Sequence, residues 1–146
     1  MLGRLMLSNA FTVNFGLLII RLGAGGSMAA LHGYGKLTAG TDKWRGLGST
    51  LEPLGVPDTL FLPLGFMAMF AEFFGSILVA LGFLGRVGAF LLMCTMIVAN
   101  YRHGFGDDFN ELALVYLVVF AGLLITGPGA FSLDRVLFGR RKPTAE

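Results

Sequence analysis

The sequence predicts an all-α fold, a membrane-spanning four-helix bundle, and three observations point to it. Of the 146 residues, 55% are hydrophobic and only 14% are charged, whereas soluble domains carry about 25% charged residues. The apolar residues form four segments joined by short polar loops, and half of the 22 glycines fall within those segments. Small residues there allow membrane helices to approach closely. No stretch between the segments is long enough to fold separately, so residues 1–146 are predicted to form a single domain.

The four predicted spans are residues 11–34, 60–84, 85–101 and 111–126. A bilayer core about 30 Å thick needs roughly 20 helical residues, because each residue rises about 1.5 Å. The first two segments reach that length. The last two are short, and either one alone would suit a buried helix of a soluble protein. The membrane prediction therefore rests on the four segments together.

Turn-forming residues mark the predicted helix boundaries. Pro57 and Asp58 precede the second segment, and a Gly-Pro-Gly sequence at 127–129 follows the fourth, as is usual where helices start and stop. The stretch 37–58, which contains Trp44, is predicted to be a loop lying partly in the membrane interface. Arg4 before the apolar residues 15–20 also suits a signal peptide, but Arg21 interrupts that apolar region and favours a helix.

The predicted orientation follows from the positive-inside rule, which counts lysine and arginine near the membrane ends. With four spans both termini share a side, and that side carries the larger set of basic residues. It holds Arg4, Arg86, Arg135, Arg140, Arg141 and Lys142, against Lys36, Lys43, Arg45 and Arg102 on the other side. The rule predicts cytoplasmic termini.

Several classes of chemistry are disfavoured by composition. The formal charge is only +2 and the basic residues are scattered, which argues against nucleic acid as a partner. Cys94 is the single cysteine, so an internal disulfide, a CxxC pair and a cysteine-based zinc site are excluded. Two histidines without suitably spaced carboxylates do not predict a metal site. In its apolar surroundings Cys94 is interpreted as a small buried hydrophobe.

Two charged residues lie inside predicted spans. Arg21 and Glu72 would each cost about 2.5–3.5 kcal/mol at the centre of a membrane helix. Counted from the assumed outer ends of their helices, Arg21 and Glu72 lie at similar depths below the outer membrane surface. They are therefore predicted to form an ion pair. That pair either fixes the register of two helices or takes part in binding or proton movement. At 100° per residue, Arg21, His32 and Lys36 share one helix face.

A second polar cluster is predicted at the outer ends of the helices. Its members are His32, Tyr34, Lys36, Asn100, Tyr101, Arg102, His103 and Glu111. Histidine exchanges protons near neutral pH, which suits a ligand pocket with proton transfer. The alternative is an ordinary polar rim that faces water. The many methionines and phenylalanines either wall a site for a quinone or face lipid.

Three stretches resemble the DoxX-like family of integral membrane proteins across nearly all of the chain. They are RLGAGGSMAALHGYGKL (21–37), AEFFGSILVALGFLGRVGAFLLMCTMIVA (71–99) and ELALVYLVVFAGLLITGPGAFSLDRVL (111–137). The resemblance implies a four-helix membrane fold, a bacterial inner membrane location and an association with redox processes, since relatives include a subunit of thiosulfate:quinone oxidoreductase. Arg21, His32, Gly33, Lys36 and Glu72 match recurrent polar or glycine positions of the family.

The resemblance and the polar positions together favour one function over two alternatives. The favoured hypothesis is a redox-associated membrane subunit that binds a quinone or a similar small molecule between its helices. If it is an enzyme, the resemblance implies an oxidoreductase of the thiosulfate:quinone type. The alternatives are a non-catalytic assembly subunit and, less favoured, a small transporter. Expected partners are the lipid bilayer, membrane or redox proteins, and further copies of the chain.

Overall fold

The computed structural model describes residues 9–103 and 110–139, and those two ranges contain helices and no strand. Within these described residues six helices follow one another in chain order, and a 3-10 turn, Ser49–Leu54, lies between the second and the third. They are α1 (Ala10–Thr38), α2 (Gly40–Gly48), α3 (Asp58–Leu81), α4 (Gly85–His103), α5 (Glu111–Thr126) and α6 (Leu133–Phe138). The predicted all-α class is confirmed.

The four predicted segments correspond to α1, α3, α4 and α5. With 29 and 24 residues, α1 and α3 are long and apolar enough to cross a membrane. Helix α5 is apolar but shorter. Two boundaries differ from the prediction by more than two residues: α1 continues past residue 34 to Thr38, and α3 stops at Leu81. The second difference has a local cause, because Gly82 adopts a left-handed φ of 65° that ends the helix.

The stretch 37–58 is not the loop that was predicted, since it contains α2 and the 3-10 turn. Its folding is explained by Trp44, whose indole Nε1 donates a hydrogen bond of 2.8 Å to the Lys36 carbonyl. The Trp44 ring also packs edge-on against Phe66 of α3, with centroids 5.4 Å apart. These long-range contacts hold a glycine-rich segment in a helical conformation that its propensity alone disfavours.

Side-chain caps fix where three of the helices begin. Asn9, Asn110 and Ser132 precede α1, α5 and α6, and each accepts a hydrogen bond from the backbone N–H three residues on, at 2.9, 3.0 and 3.2 Å. Such a cap contributes about 1 kcal/mol.

Glycines set the close antiparallel packing of α1 against α3. A Cβ at Gly25 would lie 2.7 Å from the Ser76 carbonyl, and a Cβ at Gly33 would lie 2.6 Å from the Glu72 carbonyl. Later residues of α1 therefore contact earlier residues of α3, as expected for an antiparallel pair. The buried core beside this seam joins α1, α3, α4 and α5 through Met28, Val79, Ala89, Leu92, Met96, Ala113, Phe120 and Leu123.

The outer faces of these helices are apolar. Leu31, Val118 and Ile125 are 74%, 64% and 78% exposed, and many other large apolar side chains are exposed around the helices. A soluble monomer rarely exposes such extended apolar surface. A lipid environment accounts for it.

The α1–α3 seam gives a direct stability prediction. Gly33→Ala should lower the melting temperature in detergent, because overpacking against the α3 backbone costs about 1–3 kcal/mol. Gly35→Ala is the matched control, since no described atom outside its own surroundings lies within 4 Å of a Cβ there. Equal melting temperatures for the two variants would contradict the close contact.

Candidate functional site

A lysine and a glutamate meet inside the bundle. Lys36 Nζ donates to Glu72 Oε2 in the salt bridge that joins α1 to α3, and the Glu72 side chain is only 4% exposed against 24% for Lys36. A carboxylate so buried costs several kcal/mol to desolvate unless a cation compensates it. Lysine has three donors, so one bond to Glu72 leaves two N–H groups for other partners.

The ion pair borders a cavity of about 90 Å³ whose walls are partly apolar. His32, Asn110 and Tyr116 add polar atoms to it, and the remaining lining is Met28, Met96, Ala99, Leu112 and Ala113. The His32 ring lies edge-on to Tyr116, with centroids 5.9 Å apart. The Tyr116 hydroxyl is 2.8 Å from Ser27 Oγ, which itself lies 2.7 Å from the Gly23 carbonyl. Tyr116 is thereby held beside His32.

A second cavity, of about 240 Å³, continues from the first. Both are lined by Lys36, Glu72, Ala99 and Asn110. The second adds two exposed cations, Lys43 of α2 and Arg102 of α4. The site therefore widens from a buried ion pair to a mouth that two cations line, at the end of the bundle where α1 ends and α5 begins.

Two π-helical segments place the ion pair. Met28–Gly33 interrupts α1 and Ala71–Gly75 interrupts α3, and they touch where Gly33 meets the Glu72 backbone. A π segment inserts one residue into a turn and is often found at functional sites. Here the segments carry His32 and Glu72 themselves, so the irregular backbone and the candidate polar groups coincide.

The predicted Arg21–Glu72 ion pair is wrong, because Glu72 pairs with Lys36. The prediction assumes that the first helix ends at residue 34, but α1 continues through Lys36, and Gly33 already contacts the Glu72 backbone. Arg21 lies twelve positions before Gly33, about 18 Å along the helix. Its guanidinium is at the other end of α3, against Gly82.

Arg21 instead joins α1 to the segment after α5. The side chain is buried, at 2% exposure, and its Nη2 donates to the Phe131 carbonyl. Within the described residues, Nε and Nη1 have no hydrogen-bond partner, and the Asp134 carboxylate supplies a favourable charge interaction. Arg21 does not line the cavities at the Lys36–Glu72 pair.

The other predicted site residues divide into three groups. His32, Lys36, Glu72 and Arg102 line the two cavities. Asn100 and Glu111 do not: Asn100 Nδ2 bonds the Met96 carbonyl at 2.8 Å, and Glu111 is an exposed first residue of α5. The His103 side chain lies outside the described part of the structure.

Sequence reasoning missed several lining residues, chiefly Tyr116, Asn110 and Lys43. Tyr116 offered a signal, since it is a lone hydroxyl-bearing aromatic residue in the apolar segment 111–126. Lys43 gave none, because its position depends on α2, which was predicted to be a loop.

Apolar helices with an apolar exterior and a charged pair buried between them define a helical integral membrane protein. Comparison with known families agrees. The family model described as DoxX matches residues 16–103, so the chain belongs to the DoxX family. It is also 36% identical over 113 residues to the inner membrane protein YqjF of Escherichia coli (strain K12), covering 72% of this chain and 79% of that protein. No solved structure matches it significantly. The predicted family and inner membrane location are confirmed.

Proposed function

We propose that this protein is a redox-associated membrane subunit that binds a quinone or a similar small molecule at the Lys36–Glu72 pair. The observation that supports this most is an ion pair with a nearly inaccessible carboxylate at the base of a cavity between membrane helices. Ionisable residues in such positions are costly and usually functional.

The cavity suits a quinone in the types of group that it presents. The spare N–H groups of Lys36 and the ring N–H of His32 can donate to a carbonyl oxygen of the ring. Met28, Met96 and Leu112 supply apolar walls for its faces. A small number of directional polar groups set among apolar walls is typical of small-molecule sites.

The proposal includes a topology in which α1, α3, α4 and α5 cross the bilayer and both termini are cytoplasmic. At about 1.5 Å per residue, the 19 residues of α4 and the 16 of α5 span about 28 and 24 Å, which a locally thinner bilayer accommodates. A fluorescent protein that folds only in the cytoplasm should therefore fluoresce when fused after residue 146. Activity of a periplasmic phosphatase at that position would contradict this orientation.

Quinone binding can be followed through Trp44, the chain's single tryptophan. Its indole is bonded to the Lys36 carbonyl, so a quinone at the ion pair should quench its fluorescence. Titration of the detergent-solubilised protein with a chainless dimethoxy-methyl-benzoquinone should give a saturable component above the linear quenching of free quinone. Linear quenching alone would overturn the proposal.

A matched pair of variants links that signal to the cavity. His32→Phe keeps a planar ring and removes the N–H, so Kd should rise about three- to tenfold, the equivalent of a neutral hydrogen bond. Tyr34→Phe also removes a polar atom from an aromatic residue of α1, but Tyr34 is 59% exposed and lines neither cavity, so Kd should not change. Equal affinities for both variants would argue against a contact from His32.

A further inference from the structure

An apolar groove lies beside the polar cavities. It has a volume of about 180 Å³ and runs between α2, the 3-10 turn, α3 and α4. Its walls are almost wholly aliphatic or thioether side chains, including Leu51, Leu64, Met67 and Leu91, and the thiol of Cys94. Met67 is 59% exposed, so the groove opens sideways, toward the surface that faces lipid.

The groove is continuous with the site. It shares Leu47, Ala68, Thr95 and Val98 with the cavity that contains Lys43 and Arg102, and that cavity in turn reaches Lys36 and Glu72. One path therefore leads from the lipid-facing side to the buried ion pair, changing from apolar to charged along its length. An occupant that matches it has a polar head and a long apolar chain.

We infer that this groove holds the part of a membrane quinone's isoprenoid chain nearest the ring, and that the ligand enters from the bilayer between α2 and α4. The inference rests on the proposed function, because it assigns the tail of the molecule whose ring is proposed to bind at Lys36.

Cys94 provides a native reporter for the occupant, since it is half-buried in the groove and is the only cysteine of the chain. Alkylation of Cys94 by a membrane-permeant maleimide can be followed by mass spectrometry in vesicles of phosphatidylethanolamine and phosphatidylglycerol. Long-chain ubiquinone at about ten times its Kd should slow alkylation about tenfold by mass action. The chainless quinone should saturate the Trp44 signal without slowing alkylation.

A groove variant gives an independent test. Leu91→Phe enlarges a side chain that lines the groove but neither polar cavity, so it should weaken long-chain quinone several-fold and leave the chainless quinone unaffected. Ile97→Phe, at a position of α4 that is 50% exposed, is the control and should change neither affinity.

The outcomes separate this inference from the proposed function. If the chainless quinone binds but both quinones have equal affinity and Cys94 reacts at the same rate, the groove assignment is overturned and the ring site stands. If Cys94 is already protected in quinone-free vesicles and reacts in short-chain detergent, phospholipid chains fill the groove, and the assignment is again overturned. If neither quinone gives saturable quenching, the proposed function itself fails.

Discussion

Lys36→Met should destabilise the protein more than most single substitutions. It leaves Glu72 buried with no cation beside it, and breaking one side of a buried ion pair costs about 3–5 kcal/mol. Because the Lys36 side chain is partly exposed, we expect a value near 3 kcal/mol. Unfolding in mixed micelles of detergent and dodecyl sulfate measures the loss as a shift in the midpoint.

The double variant Lys36→Met/Glu72→Gln distinguishes charge burial from lost packing. Removing both charges eliminates the unpaired carboxylate, so the double variant should recover most of the stability lost by Lys36→Met. Lys43→Met removes an exposed lysine on the neighbouring helix and should change stability by less than about 0.5 kcal/mol. A double variant as unstable as the sum of its two single variants would show that the charges do not interact.

Gly82→Ala should also cause a large loss of stability, for two reasons that add. Gly82 has a φ of 65°, which costs a residue with a Cβ about 1–2 kcal/mol. Its Cβ would also meet the Arg21 guanidinium and would lie 2.6 Å from the Ser132 Cβ, and such overpacking costs about 1–3 kcal/mol more. The expected total is about 3 kcal/mol, measured by the same unfolding midpoint.

Gly40→Ala isolates the backbone contribution to that loss. Gly40 has a φ of 81°, and no described atom lies within 4 Å of a Cβ there apart from its immediate surroundings. It should therefore lose only the 1–2 kcal/mol of the left-handed conformation. If Gly82→Ala were no worse than Gly40→Ala, the packing of Arg21 against the turn between α3 and α4 would be wrong.

That turn also shows how tightly the end of the bundle opposite Lys36 is closed. Asp134 accepts hydrogen bonds from the backbone N–H groups of Leu84 and Gly85 at 2.7 and 3.0 Å. Its own N–H donates to the Gly82 carbonyl at 2.8 Å. Arg21 thus lies in a packed junction, whereas Lys36 and Glu72 lie beside open volume.

The sequence was sufficient to predict the main helices, because their apolar runs and turn-forming boundaries are local signals. It also identified His32, Lys36 and Glu72 as candidates, since charged and titratable groups are conspicuous in apolar segments. These predictions need no knowledge of how the helices pack.

The partners of those residues could not be predicted in the same way. Which cation meets Glu72 depends on the vertical register of α1 against α3, and that register is set by Gly25 and Gly33 together with two π segments. Helical counting at 100° per residue cannot detect a π segment. The position of α2 depends on a tertiary contact of Trp44, which has no local signature.

Photo-crosslinking with a photoreactive chainless benzoquinone tests the central claim, a quinone site at the Lys36–Glu72 pair, most directly. Peptide mapping should place the adducts on cavity residues such as Met28, His32 and Met96, and an excess of unlabelled quinone should suppress them. Adducts spread over lipid-facing residues such as Val118 and Ile125, and unaffected by the competitor, would contradict it.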